Sequence, residues 1–275
     1  MLSLHTNNAA LSAQTAINRT QNSLSTSMTR LSTGYRINSA MDDAAGLQIA
    51  SRLKAQTSGM SVAMRNTQNS TSMLQTAEGA LDEVSNMLVR MKDLATQASD
   101  ASSTGDDKTA MKSEYDALAL ELENVMSNTK FGGTKLLTGG TVASSMTFQI
   151  GASADEKMTI NLSSDMTAVG NSVTAVKGAD ISATANATIT ILETALTNVN
   201  KVRSGLGAAA NRLEHVYNNL ANVSTNTKAA TGRIMDVDFA EESANMTSNQ
   251  MLLQAGTAML KQTNSMSSMV MSLLQ

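Results

Sequence analysis

LQTAEGALDEVSNMLVRMKDLATQA, residues 74–98, sets Leu74, Ala77, Leu81, Val84, Leu88, Met91, Ala95 and Ala98 at alternating steps of three and four. At 3.6 residues per turn, that spacing holds one narrow apolar face of an α-helix against a partner. The helical pattern reaches back to Ala44, which predicts a helix of about 55 residues and roughly 80 Å. After a Ser/Gly/Asp-rich break at 99–107, a second seam follows: Met111, Tyr115, Leu118, Leu122 and Val125. A third runs Leu192, Leu196, Val199, Leu206, Ala210, Leu213, Tyr217 and Leu220, with Arg203 filling its one gap. Each seam side chain is worth on the order of 1–3 kcal/mol once buried. A lone helix in water gains none of this, so the helices are expected to pack together as a long antiparallel, coiled-coil-like bundle.

Between the second and third seams the pattern changes. FGGTKLLTGGT (131–141) is rich in turn residues. Met146, Phe148 and Ile150 then alternate with polar residues, as do Met158, Ile160 and Leu162, which predicts a β-hairpin over about 146–162. Residues 163–188, rich in Ser, Thr, Ala and Gly, are expected to form a small loop region.

The ends carry stripes of their own. Leu4, Leu11, Ile17, Leu24 and Leu31 recur at near-heptad spacing in a polar background. Met251, Ala255, Ala258, Met259, Met266, Met269, Val270 and Leu273 form a helical stripe at the other end. Chain ends ordinarily fray. Apolar stripes carried this far need partners, and each end is the obvious candidate for the other. Residues 1–41 hold Arg19, Arg30 and Arg36 and no acid, whereas 232–275 hold four acids against two bases. Ends of opposite sign could pair, although two solvated faces would show the same pattern.

Composition narrows the function. The 275 residues include no Pro, Cys or Trp and only three Phe and three Tyr, so Ala, Leu, Met and Val must supply the core. Nothing in that set interrupts long helices. The twenty Met fit adaptable interfaces or simple gap filling. A net charge of −3 without a basic run argues against a nucleic-acid partner. No apolar run is long enough to span a membrane, and MLSLHTNNAALSAQTAINRT (1–20) lacks the basic start and apolar core of a cleavable signal peptide. Catalysis has little to stand on. His5 and His215 are the sole histidines, and no thiol, HExxH, P-loop or nucleophile elbow occurs, so neither an enzyme nor a cofactor or metal is expected. Asp42 and Asp43 could hold a metal or do acid–base work, but they stand just ahead of the long helix, where the dipole favours them as caps.

Three stretches are similar to one family. RLSTGYRINSAMDDAAGLQIASRL (30–53) resembles the N-terminal signature of bacterial flagellins, RSGLGAAANRL (203–213) their returning inner helix, and residues 244–275 their C-terminal helix. MRNTQNSTSMLQTAEGAL (64–81) and VRMKDLATQASD (89–100) also resemble the lateral, swarming type. The resemblance implies a hairpin-shaped chain with paired terminal helices. Residues 1–43 and 232–275 would form an inner-tube domain, with Leu4, Leu11, Ile17, Leu24 and Leu31 packed with Met251, Ala255, Met259, Met266 and Leu273. Residues 44–231 would form the rod-like domain, its seam including Leu74, Leu81, Val84, Leu88, Met91, Leu118, Leu122, Leu196, Leu206, Leu213 and Leu220. A large outer domain would be missing.

The function the resemblance implies is that of an extracellular filament subunit for swimming or swarming. Such a subunit is exported unfolded through the flagellar type III apparatus and folds as it assembles. The implied partners are copies of itself, an export chaperone, the filament cap and the hook-associated proteins. Arg90, Leu94 and Glu114 match the family's site for subunit stacking and for recognition by the flagellin-sensing Toll-like receptor. A hook–filament junction protein, or another helical type III-secreted protein, is the alternative.

Overall fold

The structure is a computed structural model that describes residues 7–272, with side chains described as far as Met266. In chain order the elements are α1 (Asn8–Thr33), α2 (Ala44–Ala98), α3 (Gly105–Asn128), β1 (Lys130–Phe131) and β2 (Thr134–Lys135). There follow β3 (Ser145–Gln149), β4 (Lys157–Asn161), α4 (Ser163–Lys177), α5 (Ile181–Met235) and α6 (Phe239–Ser272). The mainly helical class with a small β-hairpin is therefore as expected, and a second, shorter hairpin is added by β1 and β2. The chain divides into two compact units, Met1–Ala55 with Asn226–Gln275, and Gln56–Thr225. The boundaries fall inside α2 and α5.

In the unit spanning 56–225, the first seam is dry. Leu81, Val84, Leu88, Met91, Ala95 and Ala98 have no exposure, and Leu74 almost none. Met111, Tyr115, Ala119, Leu122 and Met126 of α3 join the same core, with Leu118 and Val125 half-buried at its margin. Tyr115 is the one large polar side chain among these residues, and its hydroxyl donates to the Val176 carbonyl at 2.9 Å. Burial, with Asp116 nearby, raises its pKa far above the usual phenol value. At the start of α3, Thr104 and Asp107 close a reciprocal capping box that satisfies two backbone N–H groups.

The third seam keeps Leu192, Val199, Leu206, Leu213 and Leu220 of its expected set and differs at the positions between them. The buried residues of α5 are Leu192, Ala195, Val199, Val202, Leu206, Ala209, Leu213 and Leu220, with Val216 half-buried. This set steps by three and four without a gap. Leu196, Ala210 and Tyr217 sit half-buried beside it. Arg203 is no gap in the seam: from the flank it reaches Glu78 and Asp82 of α2 at 2.9 and 2.8 Å. Ala195 is buried ahead of its larger neighbour Leu196 and Val202 ahead of Arg203, while Ala209 and Ala210 are alike in size, so helix phase decides between them. Polar pairs show α2 and α5 antiparallel in this unit: Glu78 with Arg203, Lys92 with Glu193, and Ser99 with Asn186.

Residues 163–188 are not the loop expected from their composition. Residues 163–177 are α4 and residues from 181 on begin α5. Met166, Val169 and Val176 are buried and Val173 packs against the core, a step of three, four and three hidden among Ser and Thr. Lys177 pairs with Glu123 of α3 at 2.6 Å and Lys201 with Asp165 at 2.8 Å, tying α4 to its neighbours.

The hairpin forms where alternation placed it. β3 and β4 are antiparallel, with Met146 opposite Ile160 and Phe148 opposite Met158. These four face the core. A smaller hairpin, β1–β2, turns through Gly132 and Gly133, both at positive φ, as a tight two-residue turn requires. Two helical glycines make room for the β3–β4 region. A Cβ on Gly59 would stand 2.7 Å from the Cβ of Ala152, and one on Gly205 would stand 2.7 Å from Leu162 Cδ2. Replacing Gly205 by Val is therefore expected to cost about 1–3 kcal/mol by overpacking. Thermal unfolding followed by circular dichroism should show a lowered midpoint, whereas Gly207→Ala, which meets open space, should not lower it.

Candidate functional site: the paired terminal helices

Helix α1 starts at Asn7, whose side chain accepts the Ala10 N–H, and stops at Gly34, whose φ of 74° turns the chain out of the helix. After Gly34 the chain passes alongside the segment joining α5 to α6. The Arg36 N–H donates to the Met235 carbonyl, the Val237 N–H to the Gly34 carbonyl, and the Arg36 guanidinium to the Ile234 carbonyl at 2.8 Å. These bonds bring α1 and α6 side by side. The two helices run antiparallel: Asn7 reaches the Thr263 carbonyl, Ile17 lies on Gly256, and Arg30 lies 3.6 Å from Glu242.

The covered face of α1 comprises Ala10, Ala13, Ile17, Thr20, Leu24, Ser27 and Leu31. On α6 it comprises Glu242, Met246, Asn249, Leu253, Gly256, Leu260 and Thr263. Both sets keep the three–four step, but most members are small or polar. That is why counting apolar residues missed the α6 face, although Met246, Leu253 and Leu260, seven apart, carry its signal.

The expected packing partners divide accordingly. Ile17, Leu24 and Leu31 face α6. Leu11 does not: it is 62 % exposed. Met251, Met259 and Met266 are 60, 66 and 57 % exposed, and Ala255 is exposed beside them. They face away from α1, because the helix that buries Leu253 and Leu260 must turn this stripe outward. Leu4 and Leu273 lie outside the described residues. The α1–α6 pair therefore keeps a second apolar flank, which also carries Leu252.

The acids at 42 and 43 do different jobs. Asp43 Oδ1 accepts the Gly46 N–H at 2.8 Å, as an N-cap does for the first turn of α2. Asp42 faces the preceding loop and accepts the N–H groups of Asn38 and Ser39 and the Ser39 hydroxyl. Those bonds hold its carboxyl below the usual carboxylate range. Its contribution is thus present above the unfolded value and is lost as pH falls through the lowered one.

Of the stacking trio, the structure brings two together. Arg90 and Glu114 meet on the surface, with Nε and Nη2 at 2.9 and 2.6 Å from one carboxylate oxygen. Leu94 is buried in the core among the seam residues, because it follows Met91 by three and Met87 by seven. Among the described residues no group of three or more His, Cys, Asp or Glu could hold a metal ion, and no helix is long and apolar enough to cross a membrane.

Paired terminal helices with an uncovered apolar flank are the geometry of a subunit that completes its burial on other molecules. Comparison with known proteins gives the family. Residues 4–141 match the bacterial flagellin N-terminal helical region, and residues 189–274 match the C-terminal helical region. The chain is 41 % identical over 251 residues to a flagellin of Halalkalibacterium halodurans, covering 90 % of each. It is 33 % identical to polar flagellin C of Vibrio parahaemolyticus over the full length of both. A solved structure described as a flagellar hook-associated protein of Vibrio parahaemolyticus shares the fold at a TM-score of 0.57 and 16 % identity, over 71 % of this chain and all of that one. The chain belongs to the bacterial flagellin family. It is a structural subunit of the flagellar filament, a homopolymer outside the cell that serves motility, and the family matches and flagellin relatives do not favour the hook–filament junction alternative.

The fit of Ile17 against Gly256 offers a direct check on the α1–α6 pair. A Cβ at 256 would stand 2.9 Å from Ile17 Cγ1. Gly256→Leu should lower the melting temperature of assembled filaments in scanning calorimetry while leaving the unfolding of the 56–225 unit unchanged.

Proposed function

We propose that residues 1–43 and 232–275 line the inner tube of the filament and that 44–231 form the surrounding rod. The carrying observation is the uncovered stripe of Met251, Leu252, Ala255, Met259 and Met266, with Leu11 on α1. One chain buries only the inward faces of its end helices. Neighbouring copies bury the outward ones, so ordering the ends and joining the filament are one event, in which association offsets the backbone entropy lost. Head-to-tail contacts that do not close give an open helical polymer.

A chain whose ends gain order on assembly suits export in an unfolded state through the flagellar type III apparatus. In that state the C-terminal segment is free for an export chaperone, and the filament cap then guides it into place beside the hook-associated proteins. The role is structural rather than enzymatic. The exposed Arg90–Glu114 pair contributes to stacking along the filament and offers a surface to the Toll-like receptor that senses flagellins. Leu94 serves that surface from beneath, by fixing how α2 presents Arg90.

Seeded polymerisation tests the assignment. Purified full-length chain should elongate sheared seeds into long uniform filaments under the electron microscope, and a chain lacking residues 245–275 should not; growth by the truncated chain would sink the inner-tube assignment. Arg90→Ala should shorten or weaken filaments and reduce receptor signalling in a reporter cell assay, while the melting of the 56–225 unit changes by no more than about 0.5 kcal/mol, as befits an exposed pair. Unchanged stacking and signalling would count against both roles of Arg90.

A further inference from the structure

Methionine is distributed unevenly between the two units. Every strongly exposed methionine among the described residues, Met28, Met41, Met251, Met259 and Met266, lies in the unit built from the chain ends. Every fully buried one, Met60, Met87 and Met91 among them, lies in the 56–225 unit. On α6, Met251, Met259 and Met266 line up with Leu252 and Ala255, about a third of a turn from the face that α1 covers. The chain has no cysteine, so its exposed thioethers are the sulfur open to an oxidant. Met41, at 96 % exposure, is more open than any on α6, but among the described residues only Met251, Met259 and Met266 lie together on the uncovered α6 stripe.

We propose that Met251, Met259 and Met266 form a modification site for peroxide-class oxidants, and that a free subunit oxidised there can no longer join the filament. The inference rests on the stripe being the surface that neighbouring copies cover. In the reaction, a sulfur lone pair attacks one oxygen of hydrogen peroxide. The O–O bond breaks as the S–O bond forms, and the proton on the transferred oxygen passes to the departing hydroxide, leaving a sulfoxide and water. Sulfur loses two electrons and the peroxide gains them.

The sulfoxide nearly keeps the length of the side chain but places a strong hydrogen-bond acceptor where the stripe needs an apolar surface. Because the stripe faces away from Leu253 and Leu260, the sulfoxides fall on the surface meant for the next copy and not on the face that α6 turns to α1. What is lost is burial against the next copy. Free and assembled subunits therefore differ in susceptibility: the free chain presents the three sulfurs to solvent, and the filament covers them. A subunit damaged before assembly is kept out of a polymer in which it would leave buried, unpaired acceptors.

The test exposes purified full-length chain to hydrogen peroxide, maps sulfoxides by peptide mass spectrometry, and follows elongation from sheared seeds. Met251, Met259 and Met266 should oxidise ahead of Met60, Met87 and Met91 in the free chain and should be protected in preformed filaments. Elongation should fall about tenfold or more per oxidised side chain, the scale expected for burying one unpaired polar group, with unchanged melting of the 56–225 unit. The triple variant with Leu at 251, 259 and 266 should keep elongating after the same treatment, and the triple variant with Gln there should fail without any peroxide. Oxidised chain that elongates at the untreated rate overturns the proposal, as does equal oxidation of these sulfurs in filaments and free chain. A Gln variant that assembles normally overturns it too. Untreated chain that cannot elongate seeds overturns the filament reading itself, which separates the two failures.

Discussion

A long helix with an apolar stripe on alternating three and four steps is met most closely by another helix that repeats the stripe in register. In the 56–225 unit, α2 and α5 meet this constraint. Leu74 to Ala98 on one and Leu192 to Leu213 on the other form an antiparallel apolar seam, and most of its members are fully buried. The remaining elements fit around it: Tyr115 and Leu122 of α3 on one side, and α4 with the β3–β4 hairpin on another. Gly59 and Gly205, costly in a helix by about 1 kcal/mol each, are placed where Ala152 and Leu162 come too close for any side chain. Ion pairs such as Arg203 with Glu78 and Asp82 sit at the margins, partly exposed. They align the helices more than they stabilise them.

The α1–α6 interface obeys the same geometry with different residues. Its shared face mixes Ala, Ser, Thr, Asn and Gly with Ile17, Leu24, Leu31, Leu253 and Leu260, and these large residues are half-buried where the α2–α5 seam is fully buried. Stabilisation from burial follows apolar area at about 25 cal/mol per Å². The pair holds its register through Ile17 on Gly256 and Arg30 near Glu242. The apolar residues that would have strengthened it lie on the outward flank. That division suits a filament subunit: one face for a register set within the chain, the other for its neighbours.

Much of this was legible in the sequence. The seven-residue repeat at 74–98 determined a long helix with one buried stripe, since no other local geometry brings those residues to a single face. Period-two alternation determined the hairpin, and the motifs at 30–53 and 244–275, together with their order, determined the family. Tertiary structure decided which of two adjacent stripes is covered. On α5 it selected Ala195, Val202 and Ala209 over Leu196, Arg203 and Ala210, because those positions continue the three–four step that Leu192, Val199, Leu206 and Leu213 set. It made 163–177 a helix by supplying a core for Met166, Val169 and Val176, and it sent Leu94 inside while leaving Arg90 outside. On α6 it turned Leu253 and Leu260 inward and Met251, Met259 and Met266 outward. A sequence shows that a helix has an apolar side, but when two sides qualify, only the shape of the partner settles which one is buried.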